Sequence, residues 1–229
     1  MFKRVFFIAF LLFSMLQLWA YEPEIAIGTK HGGVASTVLF PSNSSVKPTY
    51  TFGYTGGLYT RLIFEKYFGL QIELNYMQRG WQEKEKSFNY LRQTHYLELP
   101  FISHIFFGKG KFRWFFNLGL NLGVYLGEKS VEELVDESFS HNHDKVHKQH
   151  KLAVAHKFDY GICGGTGFEF HTKAGIYQLD ARYNFGLGDI FPNTIKDDFG
   201  RSSNQNISIC LGVLFDINKM KKQKSFSLK

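Results

Sequence analysis

From Glu24 onward apolar residues recur with period two, which predicts strands and excludes amphipathic helices, whose period is 3.6. In 68–78, Phe68, Leu70, Ile72, Leu74 and Tyr76 share one face and Gly69, Gln71, Glu73 and Asn75 the other. The same alternation runs through 113–126, 158–170, 177–185 and 206–217, where Leu, Ile, Val, Phe and Tyr oppose Gly, Asn, Ser, Cys and a few charges. Three further strands are predicted over 24–37, 50–64 and 92–106. The first loses its alternation around Gly32-Gly33, which predicts a bulge or tight bend there. Pro100 lacks an N–H and should occupy a bulge or a locally unpaired position. The eight strands so predicted are mostly ten to fifteen residues long, more than soluble sheets need and enough to cross a membrane at a tilt.

The connections alternate as strictly as the side chains. Glu65-Lys66-Tyr67, 108–111 and 171–174 read as tight turns, whereas 38–49, 80–91, 127–157 and 187–204 are long polar stretches. Short turns on one side and long loops on the other predict an all-β, eight-stranded antiparallel up-and-down transmembrane barrel, its short turns periplasmic and its long loops external. An even strand number puts both chain ends on the periplasmic side. A soluble lipocalin-like barrel also has eight up-and-down strands. Its outer face would be rich in Lys and Glu, whereas here the polar face is mostly small, as suits the inside of a narrow barrel. Aromatic residues gather in two sets, as in bilayer belts. Tyr67, Phe68, Phe106, Phe107, Phe112, Trp114, Phe170 and Tyr177 flank the short turns; Tyr76, Trp81, Tyr96, Tyr125, Phe158, Tyr183 and Phe185 lie toward the other rim.

Charge and composition change this picture only at the ends. The net charge of +7 divides into Lys3 and Arg4 at the start, five lysines after Asn218, and a balanced 20 bases and 20 acids over 21–217. A neutral body argues against a nucleic-acid partner. The basic start followed by the apolar run 5–19 has the layout of a secretory signal peptide ending near Ala20. The predicted organisation is therefore a signal peptide at 1–20, a barrel at 21–217 and a Lys-rich periplasmic tail at 218–229, in the bacterial outer membrane.

Several segments resemble the outer-membrane β-barrel family that includes PorT-like proteins. They are Phe52-Gly53-Tyr54-Thr55-Gly56-Gly57-Leu58-Tyr59, the string from Phe68 to Tyr76, Tyr96-Leu97-Glu98-Leu99-Pro100, the glycine-rich 161–167, and Ala181-Arg182-Tyr183-Asn184-Phe185-Gly186-Leu187. The family shares a fold and no common chemistry; some relatives assist type IX secretion or gliding. The last strand is similar to the signal read by the barrel-insertion machinery, with Gly212, Phe215 and Ile217 at the expected spacing and Cys210 in place of the usual polar residue.

Candidate functional residues are few. Arg61, Glu73, Glu98, Asp159, Glu169, Asp180 and Arg182 fall on the inward face and predict a polar network filling the lumen, with no open pore. Cys163 and Cys210 face inward with a strand between them and are expected to be free. The 127–157 stretch begins with Val131-Glu132-Glu133-Leu134-Val135, read as one or two helical turns. It then carries His141, His143, His147, His150 and His156 with Asp144; these are weak metal candidates, because their spacing matches no structured site and three lysines lie among them. No cofactor is implied. An enzyme would need a hydroxyl and a histidine on one face, and Thr94/His95, Ser103/His104 and His171/Thr172 are adjacent and so point apart. The reading is of a monomeric, closed outer-membrane barrel surrounded by lipid, with a structural or interaction role through a protein or ligand at its external loops. A PorT-like accessory to secretion is the alternative, ahead of a lipid-modifying enzyme or a small channel.

Overall fold

The structure is a computed structural model, and it describes residues 24–40, 48–84, 88–134, 152–192 and 201–217. The signal-peptide and tail segments and His141, His143, His147 and His150 lie outside these residues. The strands are β1 (Glu24–Leu39), β2 (Pro48–Thr49), β3 (Thr51–Glu65), β4 (Phe68–Lys84), β5 (Phe88–Phe107), β6 (Phe112–Leu134), β7 (Phe158–His171), β8 (Ile176–Gly186) and β9 (Ser203–Asp216). The two-residue β2 extends the β3 edge onto β4 and is not a separate wall strand. The other eight form a closed antiparallel ring, β1–β3–β4–β5–β6–β7–β8–β9, with β9 returning to β1. Closure pairs every edge, which a sheet needs if its backbone is to sit in hydrocarbon. No helix among the described residues is long and apolar enough to cross a membrane.

The period-two pattern explains the wall. Leu58, Leu118, Leu120, Ile209 and Leu211 are more than half exposed on the outer face. Their strand neighbours Tyr59, Asn117, Ser208 and Cys210 are buried inside. The tight turns are as expected at 66–67, 108–111 and 172–175. In the second, Gly110 takes φ 77°, a left-handed conformation that glycine adopts without strain.

Several local expectations are corrected. No bulge occurs at Gly32-Gly33: β1 keeps unbroken register with β3 and β9 through both glycines, and the alternation continues with Lys30, Val34 and Ser36 inside. Register shifts fall instead at Ile63/Glu65 and at His95/Tyr96. Pro100 is locally unpaired toward β4, where the ladder passes from Ile72↔Phe101 to Asn75↔Glu98 without changing register. The stretches 80–84, 88–91 and 127–134 are strand and not loop, so β5 reaches 20 residues and β6 reaches 23. Residues 131–134 are not helical, because they pair with Phe88–Leu91 across the β5–β6 hairpin. Long-range pairing outweighs the local helical preference of Glu and Leu.

The aromatic belts are also revised. Tyr67, Phe68, Phe107, Phe112, Trp114, Phe170 and Tyr177 are exposed at the short-turn end, and Phe158 and Tyr183 toward the other rim. Phe106, Trp81 and Tyr96 point inward and are buried, because each has the parity of its strand's inner face.

Candidate functional site: a layered lumen and its cap

An eight-stranded barrel is just wide enough for its inner side chains to fill it. Here they do so in three ionic layers under an aromatic cap. Nearest the short turns, the Arg61 guanidinium donates to Gln71 at 2.9 and 2.7 Å and to Gln178 at 2.8 Å, and pairs with Glu169. Glu169 also meets His171 at 3.0 Å. His104 shares a 2.8 Å hydrogen bond with Asn117 and packs its ring against Phe106 and Phe115.

Gln71 donates to Glu73 at 2.5 Å and so joins this layer to the next. Glu73 is the hub of the second layer. It accepts from Arg182 at 2.8 and 2.9 Å, from Asn75 at 2.7 Å, and pairs with Lys30 at 2.6 Å. Arg182 also reaches Asp180 at 2.6 Å. In the third layer Arg79 pairs with Glu98 and with Asp159 at 2.5 Å, its guanidinium 4.4 Å from the Tyr96 ring centroid. Asn121 donates to Glu98 at 3.0 Å and Asn204 to Asp159 at 3.1 Å.

These layers bury four cations (Lys30, Arg61, Arg79 and Arg182) and five carboxylates (Glu73, Glu98, Asp159, Glu169 and Asp180). Burying such groups unpaired would cost several kcal/mol each, so pairing across the lumen is a condition of closing the barrel. The seven charged residues anticipated from sequence are all buried here. Lys30 and Arg79 were missed, although each lies on its strand's inner parity. The inner wall also holds Cys163 and Cys210, both buried and free.

Above the ionic layers lies an apolar cluster of Val38, Phe40, Trp81, Tyr90, Val154, Ile190 and Phe191. Trp81 meets Phe40 and Phe191 edge to face, and its Nε1 donates to Glu83 at 2.8 Å. Arg92 lies over the Trp81 and Phe191 rings, donates to Glu128 at 2.7 and 2.8 Å, and holds the Leu152 carbonyl at 2.7 Å. Ser202 receives the Ile190 and Phe191 amides, and the Ala155 amide donates to Ile190 O at 3.1 Å. Returning chain on both sides is thus tied down over the mouth. Burial pushes the Tyr90 phenol up to about 12, so it stays protonated in the cluster.

The three adjacent hydroxyl–histidine pairs, expected from sequence to point apart, have their groups engaged elsewhere. His95 bonds Tyr76, His104 turns into the lumen, and the Thr172 hydroxyl closes its own turn. One contact had no sequence signal: on the outer wall Thr29 Oγ1 lies 3.0 Å from His31 Nε2, and His31 Nδ1 is 2.6 Å from the Tyr54 hydroxyl. The Thr29 hydroxyl donates to Gly57 O at 2.9 Å, so this set ties β1 to β3. Among the described residues no group of three His, Cys, Asp or Glu side chains could hold a metal ion.

The sequence matches the family model described as outer membrane protein beta-barrel domain over residues 20–192. The chain belongs to that family. No curated protein matches it. Similar solved structures include OprG of Pseudomonas aeruginosa, at 13% identity over 86% of this chain and 98% of that one, with a TM-score of 0.47. Outer Membrane Protein W of E. coli is similar at 14% identity, over 85% of this chain and 99% of that one, with a TM-score of 0.43. The Neisserial surface protein NspA is similar at 13% identity, over 83% and 99%, with a TM-score of 0.41.

As a member of this family the barrel resides in the bacterial outer membrane. Arg61 and Glu169 lie toward the short-turn end, and Arg92 toward the aromatic cap. On β9, Phe215 points to lipid and Gly212 lies on the inner parity; Ile217 follows the strand.

Proposed function

We infer that this outer-membrane barrel is a closed, non-conducting wall that carries an external platform for contact with a protein or ligand. The observation that supports this reading most is the series of three ion-pair layers beneath a tied-down aromatic cap, each spanning the lumen. The β4–β5 and β5–β6 hairpins run past the cap and are paired to Lys84↔Asn89 and Phe88↔Leu134, which gives the platform a rigid sheet base. Lys129, Val131, Glu132 and Glu133 are exposed along it. The purified protein in planar bilayers is expected to give no stable conductance, and steady nanosiemens steps would sink the filled-lumen reading. A photo-crosslinking residue at Val131 in intact cells should give a discrete protein or glycan adduct, and one at lipid-facing Leu118 should give none. Equal yields at both positions would rule out the external platform.

A second reading, favoured by the PorT-like segments and the five lysines after Asn218, is an accessory to protein secretion working through periplasmic contacts. Truncation after Asn218 separates the two. Loss of secreted proteins with normal barrel insertion supports the accessory role; unchanged secretion supports the external platform.

A further inference from the structure

With its short turns periplasmic, the barrel carries at that rim a basic pocket beside an apolar groove of the outer wall. The pocket, about 520 Å³, is lined by Lys111, Phe170, His171, Thr172 and Lys173. The groove, about 310 Å³, is walled by the outward side chains Phe112, Phe168, Phe170, Tyr177, Leu179 and Leu211. Phe170 belongs to both, so the two spaces share a wall.

The pocket is held in shape by its backbone. The His171 amide donates to Lys111 O at 2.7 Å, which fixes the β6 and β7 ends side by side. The Thr172 amide donates to Gly175 O at 2.9 Å, and its hydroxyl receives the Ala174 and Gly175 amides at 3.2 and 3.1 Å. This turn presents Lys173 on a closed, hydrogen-bonded frame. His171 Nε2 is engaged by Glu169, and Glu169 is itself neutralised by Arg61. No exposed carboxylate lines the pocket; the acids of this rim, Glu24, Glu65 and Asp216, lie outside its lining.

The groove has the direction and reach of a lipid chain. It starts at Phe112, the first residue of β6 after its turn, where the Phe112 and Phe168 rings stack 5.3 Å apart. It ends at Leu211, which pairs with His31 midway along β1. It therefore runs obliquely across β6 to β9, from the short-turn rim toward the middle of the wall.

We propose that this paired pocket and groove binds an anionic phospholipid of the inner leaflet. The phosphate sits against Lys111 and Lys173, and one acyl chain lies along the groove. The continuous apolar wall selects a lipid over a free phosphate ion. Two lysines without a lining acid favour an anionic headgroup over a zwitterionic one, whose ammonium they would repel.

Native mass spectrometry of the full-length protein released from detergent, with phosphatidylglycerol or phosphatidylethanolamine added at equal concentration, tests this. Retention of one phosphatidylglycerol should exceed that of phosphatidylethanolamine by about tenfold or more, as two interfacial lysines would confer. The double variant Lys111→Glu/Lys173→Glu should fall to the phosphatidylethanolamine level. A second double variant, Lys66→Glu/Lys109→Glu, makes the same charge change on the other two periplasmic turns and should bind as the parent does. Heat-modifiable gel mobility checks that each barrel is folded; a variant that fails this check is replaced by Lys111→Gln/Lys173→Gln. Equal retention of the two lipids, equal loss in the two charge-reversal variants, or displacement of phosphatidylglycerol by millimolar inorganic phosphate would each overturn the proposal.

Discussion

Glu73→Gln is expected to lower the stability of the folded barrel by about 3–5 kcal/mol, the usual cost of removing one partner from a buried ion pair. Glu73 carries more of the lumen's charge pairing than any other carboxylate described here, since Arg182, Lys30, Gln71 and Asn75 all converge on it. Glutamine keeps the volume and can accept hydrogen bonds, but it removes the charge. Arg182 and Lys30 then share Asp180 alone, at 2.6 and 3.8 Å. Urea unfolding in lipid vesicles, followed by gel mobility, measures the loss. A double-mutant cycle gives the stronger test, because it isolates the coupling between neighbours. Lys30→Met should be costly in the parent, where it leaves the carboxylates in excess, and much less so in the Glu73→Gln background. Single-variant losses below about 1 kcal/mol, well under the buried-pair range, would mean that water enters the lumen and screens these charges.

The parts of this barrel legible in sequence were those where lipid lies on one side and a polar lumen on the other. There the alternation is forced, and a slip of one residue would turn every side chain to the wrong medium. Period two therefore located the wall strands and the three short turns. It failed where the medium outside changes from lipid to water. Beyond Tyr76 on β4, and before Leu97 on β5, the outward residues are polar or glycine except for Leu91, so the pattern fades although the strands continue. Arg79, Trp81 and Arg92 were hidden for this reason, and residues 131–134 looked helical. Lys30 was hidden differently: Gly32 and Gly33 carry no side chain to mark a face, and the gap read as a bulge. Trp81, Tyr96 and Phe106 show that parity outranks residue type. An aromatic ring near a strand end suits a membrane interface, yet these three have the inward register and pack in the lumen or cap. Which charges meet across the barrel was not legible at all, because Glu73–Arg182 and Arg61–Glu169 join residues about a hundred positions apart.

Trp81→Ala is expected to cost about 3–5 kcal/mol, the range for deleting a buried aromatic residue, and to open the external cap without opening the barrel. Trp81 is 3% exposed and touches Phe40, Tyr90 and Phe191, while its indole N–H satisfies Glu83. Alanine leaves a cavity among these rings, removes one hydrogen bond to Glu83 and leaves Arg92 with one aromatic face fewer. The damage should be local, because the returning chain at 152–157 and 187–192 meets the wall above the ionic layers, through Trp81, Tyr90, Arg92, Ser202 and short backbone bonds. Hydrogen exchange is the measurement that separates local from global opening. Amides of 152–157 and 187–192 should lose protection, while those of β7 and β8 in the membrane keep theirs. Conductance in planar bilayers should stay at baseline, since the Arg79–Glu98–Asp159 layer and the Glu73 layer still cross the lumen below. A large conductance from Trp81→Ala alone would mean that the aromatic cap is the gate and that the ion-pair layers beneath it can be passed.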